Sequence, residues 1–297
     1  MTRSRAVVVG LAATVAVLVV AFLVDRAVVH RRAVPAAAVA ARERTAPAPG
    51  KPLIDRVVVV GHRGDPKHAP EDTVASIQVA FARGAGMVEV DVHLSRDGVP
   101  VIIHDDTLDR TTNGRGPVAQ KTLVALKQLD AGAWFDRKFT GERVPTLADA
   151  LRAAAGKGPL LLDLKVDGLG RAVGDVLRQL ALPGSSLVIG AWTPAQEQDF
   201  VAHVPGAQVL MSTGDLPQWN DDFFRSVRAR GVAGFEVAHE SLNAAFVDAA
   251  HRHRMPVYAF TVNDEPTLRR LISMGVDAIE TDDPTLLARL RSEIGRD

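Results

Sequence analysis

Residues 89–93 read Glu-Val-Asp-Val-His, an alternation of ionisable and apolar side chains. In an extended strand, successive side chains point to opposite faces. Glu89, Asp91 and His93 therefore share one face, and Val88, Val90 and Val92 share the other. Two carboxylates on an inward face are costly unless something positive compensates them. A hard divalent cation, which takes oxygen ligands, is the simplest compensation. The plainer reading is a polar face turned to water. That suits an antiparallel strand with one solvated side, and suits poorly a strand covered by helices. His93 is expected to be hydrogen-bonded near this face, or to support a ligand, rather than to bind a cation itself.

Three further clusters carry chemistry. Gly61-His62-Arg63-Gly64 follows the apolar run 57–60. Its glycines allow a tight turn, and its His-Arg pair offers a proton-transfer group and a clamp for phosphate. His104-Asp105 follows Val101-Ile102-Ile103 and supplies a second histidine. Two histidines flanking a phosphorus can serve as general base and general acid. In Leu161-Leu162-Asp163-Leu164-Lys165, Asp163 and Lys165 share a strand face. They could hold a cation and a phosphate oxygen together, or form a plain internal ion pair.

These clusters need elements that bring them together. Candidate strands fall at 57–60, 87–93, 100–104, 160–165, 187–191, 208–211, 232–235, 257–261 and 278–280. Amphipathic stretches at 73–83, 147–155, 169–180, 244–254 and 265–274 lie between them. Gly84, Gly156, Gly206, Gly231, Pro256 and Gly275 punctuate the helix-to-strand links. Such β–α alternation implies a largely parallel sheet, and about eight repeats fit a closed (β/α)8 TIM barrel. The active site would then lie at the carboxyl ends of the strands. Nine candidate strands exceed that number, and the link through Arg96-Asp97-Gly98 is too short for a helical crossover. That pair is expected to be an antiparallel hairpin. Residues 107–145 carry few periodic signals and several glycines. They are expected to form a small insertion over one barrel mouth, within a folded domain spanning 55–297.

The 297 residues carry no net formal charge, which gives nucleic acid no general electrostatic footing as a partner. With no cysteine, disulfides, thiolate metal sites and cysteine nucleophiles are excluded. A short basic segment, residues 1–5, precedes an apolar run at 6–24 that is long enough for one membrane span. This run reads as an uncleaved transmembrane signal anchor. Residues 25–54, rich in Ala and Pro, read as a linker. The expected placement is a single-pass cell-membrane protein with an extracytoplasmic catalytic domain, or a secreted protein if the segment is cleaved. No obligate protein partner is evident.

The clusters, in order, resemble the glycerophosphodiester phosphodiesterase family. The resemblance is carried by Gly61-His62-Arg63-Gly64, Ala69-Pro70-Glu71-Asp72-Thr73, Glu89-Val90-Asp91-Val92 and Ser95-Arg96-Asp97-Gly98. It continues through Pro100 to Asp105, Arg110-Thr111-Thr112, Pro145-Thr146-Leu147, Asp163 with Lys165, Phe260-Thr261-Val262-Asn263-Asp264 and Thr281-Asp282-Asp283-Pro284. It implies a TIM barrel that hydrolyses glycerophosphodiesters to glycerol 3-phosphate and an alcohol, with Ca²⁺ or Mg²⁺. By position it makes His62 and His104 the acid–base pair and Glu89, Asp91 and Asp163 the metal ligands. Arg63 and Lys165 become phosphate-binding residues, and Glu71 joins the substrate-binding set near His62, helping to orient it. Three positions depart from the family: Asp163 stands for the usual Glu, Phe260 for the usual Trp and Asp72 for the usual Asn. The shorter Asp163 suits a flexible Ca²⁺ shell better than octahedral Mg²⁺, so Ca²⁺ is the expected cation. Two rival readings share the core: phospholipase D-like hydrolysis of lysophospholipids or sphingomyelin, and a non-catalytic membrane-tethered binder.

Overall fold

The computed structural model describes residues 53–294. The expected anchor at 6–24, and all of the expected linker but its last two residues, lie outside that range. No helix among the described residues is long and apolar enough to cross a membrane.

Strands are β1 (Val58–Gly61), β2 (Met87–Leu94), β3 (Pro100–Ile102), β4 (Leu160–Leu164) and β5 (Leu187–Ala191). They continue as β6 (Gln208–Thr213), β7 (Gly234–Ala238), β8 (Val257–Phe260) and β9 (Ala278–Thr281). Eight of them pair in parallel in the order β1-β9-β8-β7-β6-β5-β4-β2, and β1 pairs with β2 to close the barrel. β3 is antiparallel to β2, with Val92 opposite Ile102, as the short Arg96-Asp97-Gly98 link predicts. The expected strand at 232–235 is displaced. β7 starts at Gly234 and continues through Glu236.

Helices are α1 (Val74–Ala82), α2 (Leu123–Leu126), α3 (Leu147–Ala154), α4 (Gly170–Leu180) and α5 (Pro194–His203). They continue as α6 (Asp221–Ala229), α7 (Ala244–Arg252), α8 (Glu265–Met274) and α9 (Thr285–Ile294). Several start on side-chain caps, such as Thr73 on Ser76, Thr193 on Gln196 and Asp264 on Thr267. At the start of α3, Thr146 and Asp149 bond reciprocally. The outer strand faces pack against these helices. Val88, Val90 and Val92 join a buried cluster with Ile77, Leu147, Leu151, Val173 and Phe200. Covering the outer face in this way is what turns Glu89 and Asp91 to the barrel interior.

The interior is layered. Val60, Met87, Leu161, Val188, Leu210, Tyr258 and Ala278 fill the lower part with apolar side chains. Two residues further along the same strand faces come His62, Glu89, Asp163, Gly190, Ser212, Phe260 and Glu280, with Glu236 contributed by β7. One further step brings Asp91, Lys165, Trp192 and Asp282. The barrel is thus oily below and ionisable above, on the side of the strands' carboxyl ends. Residues between β3 and α3 form a separate small core, in which Leu108, Val118, Leu126, Ala131 and Val144 pack with Val101 and Ile103.

Candidate active site

The turn after β1 places the first groups. Arg63 has φ +51°, a left-handed conformation uncommon away from glycine. Its backbone N–H donates to Glu89 Oε2 at 2.7 Å. Gly64 has φ +90°, and a Cβ there would lie 2.2 Å from Ser76 Oγ. Only glycine lets this turn close on α1, and the closure aims Arg63 at β2. The Arg63 Nε then lies 3.2 Å from Asp91 Oδ2, and its Nη1 donates to Glu71 Oε1 at 2.9 Å.

The three expected carboxylates converge. Glu89, Asp91 and Asp163 each offer an oxygen within 4.8 Å of the others. Lys165 Nζ lies 2.8 Å from Asp91 Oδ1 and 2.6 Å from Asp163 Oδ2. Burial works against the Lys165 charge, but Asp91 and Asp163 outweigh it and hold its pKa above the ordinary lysine range. Burial would likewise raise Asp91, yet Lys165, Asp72 and Arg63 keep it below the usual carboxylate range. Glu89 behaves oppositely. Burial first, then Asp91 and Glu280, push its pKa well up.

The histidines are anchored alike. His62 Nδ1 lies 2.6 Å from Asp282 Oδ1, and His104 Nδ1 lies 2.8 Å from Asp105 Oδ1. Each ring therefore has its Nδ1 fixed by a carboxylate, which makes Nε2 the nitrogen that could transfer a proton. The β2–β3 hairpin explains how His104 arrives. The chain doubles back, and Ile103 N–H donates to Asp91 O at 3.0 Å, so His104 comes down beside the carboxylates. His93 secures this return. Its Nε2 lies 3.2 Å from the His104 carbonyl, which can only accept, so Nε2 carries the hydrogen. Burial lowers the His93 pKa, which favours the neutral ring. His93 thus supports the loop, as its position on β2 suggests.

One expectation is corrected. Glu71 does not partner His62. Both its oxygens are taken by Arg110, at 2.7 Å each, and one is shared with Arg63. The carboxylate on His62 is Asp282, 220 positions away, and no local spacing could have indicated it.

Four other residues were not foreseen as part of the site. Glu280 is buried, with Oε1 3.8 Å from His62 Nε2, and it groups with His62 and Glu89 as a second possible ligand set. Glu236 is buried and accepts from Ser212 at 2.5 Å. Burial, then Asp163, push its pKa up to about 8. Gly190 makes its room, since a Cβ there would lie 2.4 Å from Glu236 Oε2. Trp192 donates from Nε1 to Asp163 Oδ1 at 2.5 Å and meets Phe260 edge-to-face at 5.8 Å. A signal existed for Glu236 and Glu280. Each interrupts an apolar barrel strand, just as Glu89 does.

This donor set fits a divalent cation. Glu89 is 2% exposed, and its Oε1 has no hydrogen-bond partner. A buried orphan acceptor is costly, and a hard cation would satisfy it. Glu89, Asp91, Asp163, Glu236 and Glu280 also outnumber the fixed cations Arg63 and Lys165 around them.

Comparison with known proteins agrees with the geometry. Residues 62–167 and 190–286 match the glycerophosphoryl diester phosphodiesterase family. The chain belongs to this family of phosphodiester hydrolases. A glycerophosphodiester phosphodiesterase of Caldanaerobacter subterraneus is 31% identical, covering 79% of this chain and 98% of the relative. A phosphodiesterase of Oleispira antarctica, solved with the product sn-glycerol-3-phosphate, has TM-score 0.71 and 32% identity over 80% of this chain and 96% of its own. A glycerophosphodiester phosphodiesterase of Agrobacterium tumefaciens has TM-score 0.68 and 28% identity over 78% and 99%.

Proposed function

We propose that this chain hydrolyses glycerophosphodiesters to glycerol 3-phosphate and the corresponding alcohol, with His62 and His104 as its acid–base pair and a divalent cation, Ca²⁺ rather than Mg²⁺, at Glu89, Asp91 and Asp163. The observation that carries the reading is the convergence of these carboxylates within 4.8 Å at a barrel mouth that also holds Arg63, Lys165 and both histidines. The product complex of the Oleispira relative supports glycerol 3-phosphate as one product.

A bound cation supplies Lewis-acid polarisation of a phosphoryl oxygen. The chain's own groups supply the rest. Arg63 and Lys165 neutralise the phosphate charge. One histidine takes the proton of the attacking hydroxyl or water at Nε2, and the other gives a proton to the departing alkoxide as the P–O bond breaks. Asp282 and Asp105 keep each ring turned so that Nε2 does this work. Trp192 and Phe260 form an aromatic wall beside Asp163, and in this reading the leaving alcohol would lie against it.

The reading also places the domain at a membrane surface through residues 6–24. Fractionation of the full chain against a chain lacking 1–52 tests that placement, and equal solubility of the two would remove it. The activity is tested by alcohol release from deacylated glycerophosphodiesters and from micellar lysophospholipids, with and without chelator, in wild type, His62→Ala and His104→Ala. Release from the deacylated substrates, lost with chelator and in both variants, is expected. Full activity in either variant removes the histidine assignment, and release from lysophospholipid alone moves the substrate class.

A further inference from the structure

Arg110 lies in the excursion after β3 and makes contacts of an unusual kind. Its guanidinium is bidentate to two carboxylates at once. Nε and Nη2 donate to Asp105 Oδ2 and Oδ1 at 2.8 and 2.9 Å. Nη1 and Nη2 donate to Glu71 Oε2 and Oε1 at 2.7 Å each. Each carboxylate then reaches a proposed reaction group. Asp105 Oδ1 also meets His104 Nδ1 at 2.8 Å. Glu71 Oε1 also accepts from Arg63 Nη1 at 2.9 Å, and Arg63 Nε continues to Asp91 Oδ2 at 3.2 Å. The backbone beneath is seated, because Thr111 and Thr112 are buried and Thr112 Oγ1 donates to Leu108 O at 2.6 Å.

We infer that Arg110 is a positioning residue that sets His104 and Arg63 together, through Asp105 on one side and Glu71 on the other. This rests on the proposed role of His104. The physical argument is conformational. Asp105 is part-exposed, neighbours His104 in sequence, and without Arg110 keeps only the His104 ring itself as an ionic partner among the described residues. A carboxylate free to turn to water leaves the His104 ring free to turn with it. Glu71 is more buried, and without Arg110 its charge falls wholly to Arg63, drawing that guanidinium away from the substrate side. A lysine cannot replace this fork, since an ammonium is a point donor that cannot span two carboxylates bidentately. A residue that merely stapled the excursion to the barrel would tolerate lysine better, and its loss would appear in stability rather than in rate.

The experiment uses the full chain with saturating Ca²⁺ and a deacylated glycerophosphodiester, comparing wild type, Arg110→Ala, Arg110→Lys and His104→Ala. Arg110→Ala is expected to lower kcat about 10- to 100-fold, a part of the roughly 10²–10⁴ that positioned acid–base catalysis contributes. KM should rise with it through Arg63. Arg110→Lys should melt as wild type does yet recover little of kcat, and added methylguanidinium should restore part of the rate in Arg110→Ala. In ¹⁵N-histidine spectra, the His104 signal should change while that of His62 stays. Wild-type kcat in Arg110→Lys, or a loss in Arg110→Ala matched by its unfolded fraction, overturns the inference. Should Arg110→Ala not fold, Arg110→Lys and its spectra decide alone. An inactive wild type, or an active His104→Ala, would instead remove the reading on which the inference rests.

Discussion

Asp282 Oδ1 sits 2.6 Å from His62 Nδ1, joining the end of β9 to the turn after its neighbour β1. Asn263 holds that carboxylate in turn, donating from Nδ2 to its other oxygen at 2.6 Å and accepting the Asp282 N–H at 2.9 Å. Burial would raise the Asp282 pKa, but His62 and Asn263 keep it below the usual range, so it faces the ring as an anion. Asp282→Asn is expected to lower kcat by about 10- to 100-fold, within the span that a positioned proton-transfer group contributes. KM should change little, because no phosphate contact is lost. Steady-state kinetics measure this, and a KM effect with unchanged kcat would remove Asp282 from the proton path.

Burial favours the neutral form of the Asp72 carboxyl. It is buried, and burial first, then Asp91, raise its pKa well above the carboxylate range. Protonated, it can donate toward Asp91 as the amide of the family's usual asparagine would, while its Oδ1 accepts the Asp91 N–H at 3.2 Å. Its φ of +57° also suits Asn and Asp. Asp72→Asn should therefore keep stability and activity close to wild type. Asp72→Ala should lose about 1–3 kcal/mol, the cost of an orphaned buried donor. Urea unfolding of the two variants checks the contrast, and equal losses would show that the protonated form is not what the site uses.

Asp163 links Lys165 to the aromatic wall, with Lys165 on one oxygen and Trp192 on the other. Asp163→Asn should weaken Ca²⁺ binding by roughly tenfold or more, since affinity follows the charge of the ligand set. Calorimetric titration of the metal-free protein reads this directly. Unchanged affinity would place the cation elsewhere.

The buried carboxyl of Glu236, with its pKa pushed up to about 8, gives a pH prediction for the metal-free protein. The folded state holds this proton up to about pH 8, whereas the unfolded chain releases it near the ordinary glutamate value of about 4.3. Between those points the folded state binds more protons, so stability falls as pH rises. The contribution is full below the unfolded value and gone above the folded one. Melting temperatures in chelator should decline from pH 5 to pH 8. Glu236→Gln, an uncharged stand-in for the acid form, should flatten that decline. An equally steep slope in the variant would exclude Glu236 as its source.

Much of this protein was legible in the sequence because its signals are local. Alternation in Glu89-Val90-Asp91-Val92 fixes which side chains share a face, and the short turn at Asp97-Gly98 forces an antiparallel hairpin. The apolar runs between helical stretches set the number and parallel sense of the strands. Which face is inside, and what meets there, is decided by barrel closure, which brings together residues that no spacing relates. Asp282 reaches His62 only because β9 pairs with β1. Glu236 reaches the site only because Gly190, on a different strand, leaves it room. Arg110 spans Glu71 and Asp105 only because the chain after β3 brings it beside both carboxylates. The sequence by itself determined the groups available and their order along the strands. The tertiary structure decided which carboxylate serves which cation, because ion pairing depends on distance in space and not on separation along the chain.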